Sequence, residues 1–124
     1  MEVLKFINEQ MAAISIPYEF GEWQSPVKHP YYVGEITEEP ITTEDGLEEF
    51  TMMVTGFHRG EYIDLEKDKA KIKKHFDPIY GLRGEIDNGA IVVFFDGSFY
   101  VPTGEADLKK IQINLKIKQW KGAV

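Results

Sequence analysis

Few residues in this chain have both the type and the spacing to carry chemistry. Its 124 residues include three histidines, His29, His58 and His75, and no cysteine. His29 sits between Lys28 and Pro30, His58 closes an apolar alternating run, and His75 follows Lys74 near the end of a helical pattern. No two of them share the spacing that puts a pair of ligands on one side of a helix or strand, so surface and helix-terminal roles are expected, with His75 placed to interact with a helix C-terminus. Without cysteine there is no disulfide framework, thiolate zinc site, iron–sulfur cluster or cysteine nucleophile. The glycine–lysine phosphate loop, GxGxxG, GxSxG and HExxH are all missing from the sequence, so nothing supports a phosphate cradle, an elbow nucleophile or a zinc protease. The reading is of a protein that is not an enzyme and requires no cofactor or metal.

Charge is the more informative feature. The formal net charge is −7 with a pI near 4.9, which argues against whole-surface attraction to nucleic acid or anionic lipid. It is unevenly distributed. Between Glu35 and Glu49 lie seven acids (Glu35, Glu38, Glu39, Glu44, Asp45, Glu48, Glu49) and no base, whereas Lys109 to Lys121 holds five lysines (Lys109, Lys110, Lys116, Lys118, Lys121) and no acid. Clustered carboxylates can hold calcium, but this run lacks the spacing of an EF-hand loop and spans two strands and a turn, so a solvated or partner-facing acidic arm is the reading. Tyr31, Tyr32, Phe94, Phe95, Phe99 and Tyr100 could stack on bases, yet their flanks lack arginine and a core or interface role is expected. Trp23 and Trp120, at element ends, suit a core lid or an interface anchor.

The elements that must position these residues follow from periodicity. Met1, Leu4, Ile7, Met11 and Ile14, widened by Val3 and Phe6, predict an amphipathic helix over 2–15 that Pro17 stops. Ile16, Tyr18 and Phe20 alternate through a short extended edge segment, and Tyr31 to Thr37 suits a strand. Asp45-Gly46 marks a turn before a long strand, Glu48 to His58, apolar on both phases. An antiparallel pair joined by an acidic loop results. Tyr62 to Phe76 reads as a second helix, with Asp64 as its cap, lysines toward its end, and Pro78 and Gly81 closing the unit. Ile91 to Phe95, the Asp96-Gly97 turn and Ser98 to Val101 read as a hairpin, with a further turn at Pro102 to Gly104. Ile111, Ile113, Leu115 and Ile117 then alternate with Gln112, Asn114, Lys116 and Lys118, giving a strand with one buried and one polar, basic face. An edge of that kind is a pairing hazard unless covered. The expected fold is a single α+β domain over 1–124: a mainly antiparallel sheet with two helices packed on it, plus a β-hairpin.

The longest apolar run, Ala90 to Phe95, is far short of the ~20 residues needed to cross a bilayer. The N-terminal residues, with Glu2 and Glu9 among them, lack a signal-peptide core, and a cytoplasmic protein with no membrane association is expected.

The element order resembles that of the tail terminator (tail completion) proteins of long-tailed phages and prophages. The likeness is carried over nearly the whole chain by the amphipathic helix running into ISIPYEFGEW, the HPYYVGEITEEP strand, the FTMMVTGFHRG strand followed directly by the YIDLEKDKAKIKKHF helix, and the closing KKIQINLKIKQW strand. The VVFFDGSFYVP segment is an addition to the minimal pattern. What the resemblance implies is a structural virion protein: α+β subunits closing into a hexameric ring on the head-proximal end of the tail tube. One face docks on the tube protein and stops its polymerisation. The other meets the head connector. The protein would be assembled in the bacterial host cytoplasm and end at the head–tail junction of the virion. The resemblance supplies no motif residues.

A closed ring needs two different complementary patches on each subunit. The acidic arm (Glu38, Glu39, Glu44, Asp45, Glu48, Glu49) and the basic strand (Lys109, Lys116, Lys118), with Trp120 as an anchor, are the candidates for subunit or partner contact. Two alternatives stand beside this reading: another head–tail joining or minor virion protein, and a monomeric ligand-binding or regulatory α+β domain with the aromatic cluster lining a pocket.

Overall fold

A computed structural model describes residues 2–39, 46–87 and 89–121. Helix α1, Glu2–Ala13, buries Val3, Phe6, Ile7 and Met11, with Leu4 and Ile14 packed at the margin of the core. It ends before Pro17. Ser15 adopts the left-handed conformation (φ 59°), the Ser15 N–H donates to Ala12 O, and the Ile16 N–H donates to Met11 O at 2.9 Å. This is a Schellman termination sealed by the buried Ile16. The chain then forms β1, Tyr18–Phe20, and β2, Tyr31–Glu38, which pair in parallel. Strand β3, Leu47–His58, returns antiparallel to β2, as the acidic-loop hairpin predicts.

Helix α2 spans Tyr62–His75, but Asp64 does not cap it. Glu61 holds the cap position without a side-chain bond, and Asp64, in the first turn, instead meets His58 of β3. His75 reaches Gln10 of α1, with 2.7 Å between Nε2 and Oε1, and its burial depresses its pKa. Three strands follow: β4, Leu82–Ile86; β5, Gly89–Val101; and β6, Lys109–Lys121. The hairpin expected at Asp96-Gly97 is not there. The hairpin is β4–β5, whose pairing closes at Ile86 and Gly89, and β5 runs unbroken beside β6. At Asp96-Gly97 four residues of β5, Phe95 to Ser98, span three of β6, Leu115 to Ile113; this is a bulge, and Gly97 (φ 109°) supplies it. A turn dipeptide inside a strand marks a bulge when both flanking halves pair with the same neighbour.

The six strands form one sheet in the order β1-β2-β3-β6-β5-β4. The β6 isoleucine strand is thus central, not an edge, and Ile111, Ile113, Leu115 and Ile117 are completely buried. Both helices lie on the face presented by the even residues of β3 and the odd residues of β6. There Tyr32 Oη donates to Asp68 of α2 at 2.8 Å, and Gly84 of β4 lies under the ring of Phe6 of α1. Three strand glycines on this face, Gly34, Gly56 and Gly84, each lie under an aromatic ring, Tyr18, Tyr32 and Phe6 respectively. Since no side chain rises from them, these rings occupy the space directly above the strand backbone. Among the described residues no helix is long and apolar enough to cross a membrane.

Candidate functional site

Among the described residues the opposite face of the sheet carries no helix. Along β3 and β6 its residues are uniformly half-buried, shielded by one another rather than by a covering layer. At its centre the register sets Glu49 against Lys118 and Thr51 against Lys116. Lys116 Nζ donates to both carboxylate oxygens of Glu39, at 2.8 and 3.0 Å, and lies 3.8 Å from Glu49, which is 4.0 Å from Lys118. Thr51 Oγ1 donates to the same Glu39 carboxylate at 3.0 Å. The Lys116 and Thr51 bonds hold the Glu39 carboxyl below the usual range, and the Glu39 bond raises the Lys116 ammonium pKa. The result is a four-residue ladder of alternating sign across three adjacent segments of one subunit.

This changes the expected charge polarity. The acidic arm and the basic strand are not two separate patches: Glu39 and Glu49 are matched by Lys116 and Lys118 within the same chain. Neither patch is a single surface. Since strand side chains alternate, Lys109 points to the helix side, where its ammonium lies 5.1 Å from the centre of the Tyr62 ring, while Lys116 and Lys118 point to the open side. Glu38 and Glu48 likewise fall on the helix-side rim, where they share a concavity with Glu2, Asp87 and Lys121. Glu44 and Asp45 lie outside the described residues. Trp120 is on the open face, opposite Leu47 of β3 and Ala90 of β5.

Aromatic clusters flank the ladder. At the β2–β3 end, Tyr31 stacks on Phe57 with 5.2 Å between ring centres and lies tilted against Trp23 at 5.0 Å, and the Lys110 ammonium stands 5.6 Å from the Phe57 ring. At the β4–β5–β6 end, Trp120, Phe94 and Val92 line a concavity with Tyr80, Arg83 and Lys118. The predicted aromatic set is thereby divided. Tyr32 and Phe95 belong to the core, Tyr31 and Phe94 to the open face, and Phe99 is exposed.

Sequence spacing also missed a polar cluster around the start of α2. His58 Nε2 lies 2.8 Å from Asp64, His58 Nδ1 is buried with no hydrogen-bond partner among the described residues, and the His29 ring centre is 6.4 Å from that of His58. Tyr100 Oη bonds to Glu66, which also holds Lys69, and Arg59 bonds to Asp107 at 2.8 Å. Residues from two strand ends and a loop that meet on one helix turn leave no shared periodic trace, so only the tertiary contacts could reveal it. Among the described residues no group of three His, Asp or Glu is arranged to hold a metal ion.

The chain matches no protein-family model and no curated protein.

Proposed function

We propose that the protein is a structural assembly protein of the tail-terminator kind. In this reading its subunits close into a ring, expected to be a hexamer, that caps the head-proximal end of the tail tube, stops tube growth and offers the surface to which the head connector joins. The resemblance in element order supports it. The single structural observation that supports it best is the helix-free sheet face, with a self-neutralised ladder at its centre and aromatic groups at both ends. Interface cores are poor in unpaired charge and rich in aromatic side chains. With Lys116 and Lys118 already matched inside the subunit, the ring contact is carried by these aromatic flanks rather than by attraction between an acidic and a basic patch.

Light scattering and negative-stain imaging of the purified chain, alone and mixed with tube protein, test this. Rings with six times the 14.2 kDa subunit mass, or rings seated on tube ends, are expected. A chain that stays monomeric both alone and with tubes, and leaves tube length unchanged, refutes the reading.

A further inference from the structure

The concavity at the β4–β5–β6 end of the open face is built by the turn that follows α2. Asp77 Oδ1 accepts hydrogen bonds from the N–H groups of Ile79 and Tyr80 at 2.8 and 2.9 Å, and Asp77 O accepts the Gly81 N–H at 2.9 Å. Gly81 (φ 71°) brings the backbone against β5 so closely that a Cβ there would lie 2.7 Å from Val92 Cγ2 and 3.0 Å from Phe94 Cε1. A turn so braced fixes Tyr80 as a projecting wall, 78% exposed, while Val92 forms a floor only 6% exposed although no helix covers it. Trp120 and Phe94 supply the remaining apolar surface, and the space enclosed is about 330 Å³.

Its charge runs against that of the molecule. In a chain of net charge −7 the lining holds Arg83 and Lys118 and no acid, with Lys118 shared at 4.0 Å with Glu49 and Arg83 the main positive group. The other arginine, Arg59, is bound by Asp107 and Glu105. Arg83 is exposed and makes no ion pair or side-chain hydrogen bond among the described residues, even with Glu85 two positions along the same strand face. An unengaged guanidinium beside an aromatic wall presents a planar donor fork suited to a carboxylate. Trp, Tyr and Arg together are also the residue types that dominate binding energy at protein interfaces.

We propose that this site docks an acidic protein segment bearing a large apolar side chain, the apolar group seated against Trp120 and Phe94 and a neighbouring carboxylate held by Arg83, with Lys118 adding attraction. A space of this size takes one large side chain. The inference rests on the reading of this flank as a contact surface and names the chemistry of what it binds; a chain that forms no ring yet binds the acidic peptide refutes the ring and leaves this site standing.

The test is an NMR titration of the full ¹⁵N-labelled chain with three probes: acetyl-Glu-Phe-Glu-amide, its glutamine counterpart acetyl-Gln-Phe-Gln-amide, and N-acetylphenylalanine. The acidic peptide is expected to give saturable shifts at the Trp120 indole N–H and the Gly81 and Val92 amides. Replacing its acids by glutamine, or Arg83→Gln in the protein, is expected to weaken binding about tenfold, the effect of losing one charge-assisted pair. Lys118→Gln keeps Arg83 and should weaken binding less. Since Arg83 is exposed, the variant's spectrum elsewhere will report an intact fold. Absence of saturable shifts, insensitivity to Arg83→Gln, or equal binding of the glutamine peptide overturns the proposal. Tighter binding of N-acetylphenylalanine than of the acidic peptide also overturns it, in favour of a small-molecule carboxylate site.

Discussion

Replacing Gly56 by alanine should destabilise this protein more than its size suggests. Gly56 sits on the helix face of β3, between Tyr32 of β2 and Ile111 of β6. An added Cβ would stand 2.7 Å from Tyr32 Cδ2 and 2.9 Å from Ile111 Cγ2. Comfortable carbon contacts need about 3.5–4.0 Å, so the neighbours must move by roughly 1 Å. Neither can do so freely. Ile111 and Tyr32 are fully buried, and the Tyr32 hydroxyl is tied to Asp68 of α2 at 2.8 Å. Overpacking of this kind costs about 1–3 kcal/mol. Displacing the ring also strains or breaks a hydrogen bond to a carboxylate, worth about 1.5–3 kcal/mol. The loss of unfolded-state freedom from Gly to Ala returns only about 0.4–1 kcal/mol. A net destabilisation of about 3 kcal/mol follows from these ranges.

Urea unfolding followed by far-UV circular dichroism measures it as a lowered midpoint at unchanged slope. In a Tyr32→Phe background the hydrogen bond is already absent, so Gly56→Ala should cost about 1–2 kcal/mol less, a coupling that a double-mutant cycle isolates. Gly21→Ala is the contrasting case: φ is 84° but nothing lies within 4 Å, so it bears only the left-handed backbone cost of about 1–2 kcal/mol. If Gly56→Ala costs less than Gly21→Ala, the argument from ring-over-glycine packing is wrong.

Two further outcomes concern the polar contacts. The Glu39 carboxyl is depressed by the Lys116 and Thr51 bonds, so its contribution to stability is present above the ordinary glutamate value of about 4.3 and is lost as pH falls through the lower folded value. Lys116→Met should flatten that acid limb of the urea midpoint against pH, and an unchanged profile would remove the ladder as a source of stability. Asp64→Ala leaves the buried His58 Nε2 without its partner and should cost about 1–3 kcal/mol, with faster amide hydrogen exchange confined at first to the start of α2; exchange rates equal to wild type there would refute it.

The strands with clear alternation were the most legible in the sequence. Ile111 to Ile117 needed no tertiary information to be assigned a buried side, because a period of two admits one register to the core. The α2 boundaries and the β2–β3 hairpin were legible for the same local reasons. Strand β4 is not legible from periodicity because Leu82, Gly84 and Ile86 offer too little apolar surface over five residues, although Asn88-Gly89 after it is a turn signal. Asp96-Gly97 misled in the opposite direction, since a glycine at positive φ serves a bulge as readily as a hairpin.

By itself the sequence determined which residues are available: an α+β set of elements, no thiol chemistry, one acidic and one lysine-rich segment. It could not determine what those segments face, because charge along a chain is one-dimensional and pairing across a sheet is not. Only the tertiary structure decided that β6 lies between β3 and β5, and this placement decides the rest. It sets Lys116 and Lys118 beside Glu39 and Glu49, so that charges which look like attachment points in sequence neutralise each other inside one subunit. It also gathers Trp120, Phe94 and an unengaged Arg83, which lie on three different strands, into one concavity.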